Sequence, residues 1–530
     1  MRSLLSDLIF QRLNRIADAT PGTLLKRVYQ ALQQAIFDGS ISPGSRLPAS
    51  RDLAKELDIS RNTVLAAYEQ LQAEGYIQTR TGSGTFVSAD LPKDGVIADK
   101  TLTKCEPARS HVTLSKRGSQ LLTRTGVASH QWGAFMPGVP DVTQFPHDIW
   151  RKLQNRLSRR LHPEFLTYSR HGGCPQLQQA LTDYLRIARS VECAPDQILI
   201  TAGTHQALDL LAKMLCDPGD IAWIEEPSYW GIRNVLSVNG VEIHPIAVDD
   251  NGMDPPENQP ESRAPKLICV TPSHHYPLGS VMGLARRQKI LALAALQGSW
   301  VVEDDYDSEF RYSGSPIPAL QGLTSDAPVI YIGTFSKTLY PAMRISYVVL
   351  PRPLASRLKI AHSELYRGGN GLTQLTLAEF IREGHYAAHI RRMRLIYGKR
   401  RSALTRLIEQ ELGQEFMCEN SNAGLHLILS LPDSIDDVTL SAELEQKNVL
   451  TRPLSAYYLR PAPRRGLLLG YGCVAEEDIE AAFGHIVDSL KRRMKPQRAI
   501  ANVNAVTVGG DLQDCESALT LRGTKHHIGH

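Results

Sequence analysis

Hydrophobic positions follow two different rhythms along the chain. Between residues 21 and 87 they recur at helical spacing: Leu24, Leu25, Val28, Tyr29, Leu32 and Ile36 lie on one face, and the pattern stops at Asp38-Gly39. A two-proline turn, Pro43 to Pro48, follows. Ser50 then stands as N-cap of a short helix with Leu53, Ala54 and Leu57 turned inward. Ser60 caps a longer helix carrying Val64, Leu65, Tyr68 and Leu71 on one stripe and ending at Gly75. Beyond Tyr76 the residues alternate around Gly82-Ser83-Gly84, which predicts a β-hairpin. From Trp132 to about Lys495 the rhythm changes, and short β-branched runs (QILIT, DIAWIE, KLICVT, WVVEDD, VIYIG, ISYVVL) alternate with helical segments. That alternation predicts an α/β domain with a mostly parallel central sheet and helices on both faces.

The expected organisation is therefore a head over residues 1–89, an exposed linker over 90–130, a large domain over 131–495 and a poorly ordered tail over 496–530. Two short helices, a tight turn and a hairpin give the head the layout of a winged helix-turn-helix. Arg61, Asn62 and Thr63 open its second helix, where side chains reach base edges, and Arg51 is placed to reach the same groove or a phosphate. Arg80, with Gly82 and Gly84, lets the hairpin approach the DNA backbone or minor groove closely. Singly, each of these residues suits a small helical domain with solvated helix starts; in this order they point to DNA.

Composition narrows the class. The 530 residues are 42% hydrophobic and 22% charged, as in a globular protein with large cores. The most apolar run, Ile290 to Val302, is broken by Gln297, Gly298 and Ser299, so no spanning helix is expected. Asp7 and Arg12 interrupt any signal-peptide core near the N-terminus. The eight cysteines form no C-x-x-C pair, which fits reduced thiols in a cytoplasmic protein. A net charge of +4, and only ten basic against nine acidic residues over 1–90, leaves DNA binding to a few placed cations.

The chemistry of the large domain starts at I-Y-I-G-T-F-S-K-T-L-Y-P-A-M-R. An apolar strand there presents Lys337, whose amine a low-dielectric setting can keep neutral for Schiff-base chemistry with an aldehyde. Thr334, Ser336 and Arg344 suit a phosphate dianion. W-V-V-E-D-D-Y-D puts carboxylates at the end of another apolar strand: Asp304 can hold a pyridine nitrogen protonated, and Tyr306 can bond a ring hydroxyl. Asp304, Asp305 and Asp307 could instead be a divalent-metal site or an acidic loop. I-T-A-G-T-H supplies a helix N-terminus with Thr204 as an anion cradle, and Tyr229 is an aromatic able to stack on a planar ring. Lysine for an aldehyde, carboxylate for a pyridinium, cradle and arginine for a phosphate together describe pyridoxal 5′-phosphate (PLP). No metal is expected; the histidines 526, 527 and 530 of the tail are the weaker candidates for one.

These motifs carry a resemblance. P-A-S-R-D-L-A, S-R-N-T-V, Y-E-Q-L-Q-A-E-G-Y-I and T-G-S-G-T-F-V resemble the DNA-binding domain of GntR-type bacterial regulators. Residues 132–490, with F-M-P-G-V-P, Y-S-R-H-G-G-C-P, P-S-H-H-Y-P-L-G and L-L-L-G-Y-G, resemble a fold type I aminotransferase with a smaller C-terminal lobe. The two in this order resemble the MocR/GabR family of regulators. The resemblance implies Lys337 as the internal-aldimine lysine, Asp304 at the pyridine nitrogen, Tyr306 at the ring hydroxyl and Tyr229 stacked on the ring. It places Thr204, Ser336 and Arg344 on the phosphate, and His274 or His275 where related enzymes have an asparagine. Tyr168 resembles a tyrosine that reaches the neighbouring subunit's cofactor, which implies a homodimer, domain-swapped head to tail. Arg452 is the candidate for an effector carboxylate, with Arg464 and Arg465 as rivals. Gly231 stands where GABA-responsive members carry an arginine, which argues against GABA.

The expected function is a PLP-dependent regulator that binds double-stranded operator DNA and senses PLP, or a small amine or amino acid condensing with it. The alternative is an active aminotransferase with an accessory head.

Overall fold

The computed structural model describes residues 4–19, 23–80, 83–89, 114–123, 130–256, 263–314, 318–324, 327–412, 416–419 and 422–494. Gly82, most of the expected linker and the expected tail, with its histidines, lie outside the described residues. The chain divides into two units, Met1–Thr113 and Leu114–His530. Among the described residues, no helix is long and apolar enough to cross a membrane.

The first unit contains α1 (Leu4–Ala19), α2 (Leu24–Phe37), α3 (Ser50–Leu57), α4 (Arg61–Ala73), β1 (Ile77–Arg80) and β2 (Gly84–Val87). Its core joins Val28 and Leu32 of α2, Leu53 and Leu57 of α3, Val64 and Leu71 of α4, and Ile77 and Val87 of the hairpin. Leu65, expected inward, is 40% exposed, because one residue past Val64 is a 100° turn away from the buried stripe. Ser60 caps α4 as expected, its Oγ accepting from Asn62 N at 3.3 Å. At α3 the cap is Ala49 instead: its extended backbone turns the chain, its carbonyl takes the first helical bonds, and Ser50 is already helical. Gly75, at φ 82°, makes the left-handed turn that stops α4 and leads into β1. The hairpin pairs Ile77 with Val87 and Arg80 with Gly84. Helix α1 was not expected from the pattern, yet it buries Ile9, Leu13 and Ile16 in the same core. An Arg12–Asp38 ion pair at 2.6 Å ties it to the end of α2.

The second unit is built on an eight-stranded sheet of β3 (Ile198–Thr201), β4 (Ile221–Glu226), β5 (Glu242–Asp249), β6 (Gly252–Met253), β7 (Leu267–Val270), β8 (Trp300–Asp305), β9 (Val329–Thr334) and β10 (Ser346–Val349). The order is β3-β10-β9-β8-β7-β4-β5-β6. Strands β5, β4, β7, β8 and β9 run parallel; β10 is antiparallel to both β9 and β3, and β6 to β5. Both faces are covered: Val302, Ile330 and Ile332 pack on one side, and their neighbours Val301, Val329 and Tyr331 on the other. That double burial is why the strands read as unbroken apolar runs. A smaller antiparallel sheet, β11 (Cys418–Glu419), β12 (His426–Leu431), β13 (Arg452–Pro453) and β14 (Arg465–Gly470), forms the C-terminal lobe. Bridges Ala134–Val449 and Phe135–Gly470 stitch the start of the unit to this lobe. Within the stretch expected to be linker, residues Lys116–Thr123 form a helix that starts on the Ser115 hydroxyl.

Candidate functional site

The candidate residues of the large unit gather beyond the C-terminal ends of its parallel strands, where ligands sit in open α/β sheets. Strand β9 ends at Thr334, and the chain turns so that half-buried Lys337 reaches Gly138, its Nζ donating to the Gly138 carbonyl at 2.7 Å. Gly138 adopts φ 70°, and a Cβ there would lie 3.1 Å from Nζ. Burial pushes the Lys337 amine down, partly offset by the charges of Asp307 and Asp304.

Asp304, at the end of the adjacent strand β8, is buried, and its Oδ1 has no hydrogen-bond partner in the protein. Burial, then the neighbouring Asp305, pushes its carboxyl up to about 7. The metal alternative loses its geometry here, because the three carboxylates do not converge. Asp305 is bound to Arg189 at 2.7 Å and to the Tyr331 hydroxyl at 2.5 Å. Asp307 is bound to His274 Nδ1 at 3.1 Å. Tyr306 places its hydroxyl 2.9 Å from the same His274 nitrogen, so one ring atom serves both neighbours. Of the two histidines weighed from the sequence, His274 is therefore the one beside Tyr306. His275 turns away to Glu225 at 3.6 Å and accepts from Leu278 N at 3.2 Å.

On the third side, β3 leads through Gly203 into the helix Thr204–Leu215. Gly203 has φ 98°, and a Cβ there would come 3.0 Å from the Arg344 guanidinium. Glycine thus lets Arg344 lie against the helix N-terminus that Thr204 opens, a doubly favourable anion cradle. Ser336, two residues past the end of β9, donates its backbone N–H to Thr334 Oγ1 at 3.2 Å. The Thr334 hydroxyl is also bonded to Ser346 at 2.8 Å inside the sheet. Tyr229 is held by a residue the sequence reading missed, His205, whose Nε2 lies 3.0 Å from its hydroxyl. Its position directly after Thr204 was the only signal available. Gly231 is required by this pair, since a Cβ there would lie 2.3 Å from both His205 Nε2 and Tyr229 Cε1.

Beside these rings, Tyr276 and Tyr457 share a 2.9 Å hydroxyl contact. The Arg452 charge acts on both hydroxyls, which sets Arg452 next to the site. Arg465 is paired with Asp436 at 3.3 Å instead, and Arg464 is exposed. Tyr168 is not brought to the other site residues of its own chain: it is 78% exposed, with Arg367 6.0 Å from its ring centre.

In the head, Arg51, Arg61 and Asn62 are exposed at the starts of α3 and α4, and Thr63 is half-buried beside them. Arg80 is exposed on the hairpin, its guanidinium 5.0 Å from the Phe86 ring centre. Gly84 packs against Arg46, whose Nε would be 2.9 Å from a Cβ at that position. Arg46 is an exposed cation of this face that the sequence reading passed over as part of a proline turn.

The large-unit residues fit PLP on structural grounds. A buried carboxylate oxygen lacks a donor, an amine with a lowered pKa stands in the turn just past the next strand, and glycine opens a cationic cradle at a helix N-terminus.

Known proteins match both units. The model for bacterial regulatory proteins of the gntR family matches residues 24–87, and that for aminotransferase class I and II matches residues 139–484. The chain is 38% identical over 448 residues to the "Probable rhizopine catabolism regulatory protein MocR" of Rhizobium meliloti, covering 84% of this chain and 89% of that protein. It is 29% identical over 472 residues to the "HTH-type pyridoxine biosynthesis transcriptional regulator PdxR" of Corynebacterium glutamicum, covering 89% and 96%. Kynurenine aminotransferase of Pyrococcus horikoshii, solved with PMP, aligns with a TM-score of 0.64 at 26% identity over 73% of this chain and 97% of that one.

Proposed function

This chain belongs to the MocR-type regulators, a GntR-family DNA-binding domain fused to a class I/II aminotransferase domain, and on that premise we propose how it works. The head binds operator DNA, and the large unit holds PLP and senses either its level or a small amine or amino acid that reacts with it. When bound, PLP supplies an aldehyde that condenses with amines and a ring that withdraws electrons.

The chain's own residues do the rest. Thr204, the N–H groups of its helix, Ser336 and Arg344 bind the phosphate. Tyr229, fixed by His205, stacks against one ring face. Tyr306 bonds the ring hydroxyl, and His274 sets whether that tyrosine donates or accepts. Asp304 gives a proton-bearing ring nitrogen the acidic partner that its orphaned Oδ1 is placed to be. Lys337, partly stripped of water, offers its neutral amine, with the Gly138 carbonyl orienting Nζ. Arg452 receives an effector carboxylate, and the shielded Gly231 leaves no room for an arginine that would bind one from the other side. Exposed Tyr168 completes the site of a second copy, so the working form is a homodimer.

The pairing of Lys337 and orphaned Asp304 across adjacent strands carries this reading. Its test is a gel shift on DNA upstream of the protein's own gene, with and without PLP and candidate amines. PLP, or PLP with the amine, changes wild-type affinity and leaves Lys337→Ala unchanged; equal responses from both proteins contradict it. The complete ring-holding set also supports a second reading, an aminotransferase with an accessory head. Fast multiple turnover of amino acids with 2-oxo acids would favour that one.

A further inference from the structure

Behind the floor of the PLP-fitting site lies a second cleft, of about 370 Å³. It is lined by Arg311, Arg391 and Arg394, together with Ser273, Glu309 and the Arg189 that binds Asp305. We propose that this cleft is a binding site for a small carboxylate- or phosphate-bearing anion, distinct from the cradle of Arg344.

Arg391 and Arg394 are three residues apart on the helix His385–Glu411 and so share a face, with Arg311 approaching from the chain after β8. Arg394 spends two donors, at 2.9 and 2.7 Å, on the backbone carbonyl of Glu309, which neutralises nothing. Arg311 Nε is buried with no partner. No described carboxylate forms an ion pair with any of the three. Arg189 is already neutralised by Asp305, at 2.7 Å. The one carboxyl in the wall, Glu309, faces the hydroxyls of Tyr184 and Tyr386, and burial pushes it up to about 7, so near neutral pH it carries only part of a charge against three arginines. Ser273 accepts from Arg189 at 2.6 Å, which leaves its own hydroxyl proton free to donate into the cleft. Three arginines and a hydroxyl line one concave space, against the partial charge of Glu309 alone, and that excess of cations makes a site for an external anion. Ser273 precedes His274 and Arg189 clamps Asp305, so the ligand would lie one residue behind the groups that face the ring.

The test is calorimetric titration of the full chain with two probes, inorganic phosphate and succinate. It is run on PLP-saturated wild type and on Arg344→Gln, which disables the other anion cradle. At least one probe binds saturably, one per chain, in both proteins. Arg391→Gln/Arg394→Gln weakens that binding by about tenfold or more while its PLP uptake stays that of wild type. Absence of saturable binding by both probes overturns the proposal, as does unchanged affinity in the double variant. Binding lost in Arg344→Gln alone assigns the anion to the cofactor cradle and overturns it too. Failure of PLP uptake in wild type contradicts the proposed function and leaves the Arg344→Gln arm to decide this one.

Discussion

Asp304 and Asp305, neighbours on one strand, point to opposite faces of the sheet and meet opposite fates. Asp305 is clamped by Arg189 at 2.7 Å, whereas Asp304 Oδ1 has no protein partner at all. One carboxylate is tied into the fold; the other is left open, and it is the one the proposed function gives to the cofactor ring.

Asp305→Asn leaves the Arg189 guanidinium buried without its counter-charge. Stability then falls by about 3 kcal/mol, the cost typical of breaking a buried pair from one side. Urea unfolding of the cofactor-free protein measures it, and a change within error would deny the pair a structural role.

Asp304→Asn behaves differently with pH. The native carboxyl is raised to about 7 from its ordinary 3.8, so between those values the folded state keeps a proton that the unfolded state has released. Stability contributed by this group therefore falls as pH rises from about 4 to about 7 and is level above. Removing the carboxyl removes that fall, so the variant gains on wild type over the same range. Taking the difference between the two proteins cancels buried His275 and His426, which are pushed down to about 3 and act with the opposite sign. Urea midpoints across that range, without cofactor, check it; a constant difference would contradict it.

Gly231→Ala puts a methyl 2.3 Å from His205 Nε2 and Tyr229 Cε1, so the His205–Tyr229 contact must open. The stacking ring is then unfixed, and PLP affinity drops by about tenfold, of the order of one lost contact. Fluorescence titration with PLP reads this out, and wild-type affinity would show that Tyr229 needs no anchor.

Arg61→Ala removes an exposed guanidinium from the start of α4. Specific operator binding weakens by about 1–3 kcal/mol with relaxed sequence preference if the residue reads a base. Anisotropy measured on specific and scrambled duplexes separates this from a phosphate contact, which weakens both equally.

The head was legible because its helices are short, capped and periodic, and because Ser60, Gly75 and the hairpin act within a few residues of their own positions. Lys337 and Asp304 were legible because one closely follows an apolar strand and the other lies at the end of one. Their surroundings were not. Gly138 meets Lys337 from 199 residues away, and Arg189 meets Asp305 from 116 away, distances over which local pattern carries no signal. His205 looked like an ordinary helix-start residue until the fold set Tyr229 against it. Helix α1 was hidden differently: Ile9, Leu13 and Ile16 have the right spacing, but the partners that bury them lie in α2 and α3.

The central claim is that Lys337 is the residue to which PLP attaches. Borohydride reduction of the protein after incubation with PLP, followed by peptide mass analysis, tests it most directly. The account predicts one phosphopyridoxyl group per chain, on the peptide carrying Lys337, and none in Lys337→Ala. A label on another lysine, or the same label retained by Lys337→Ala, would contradict it.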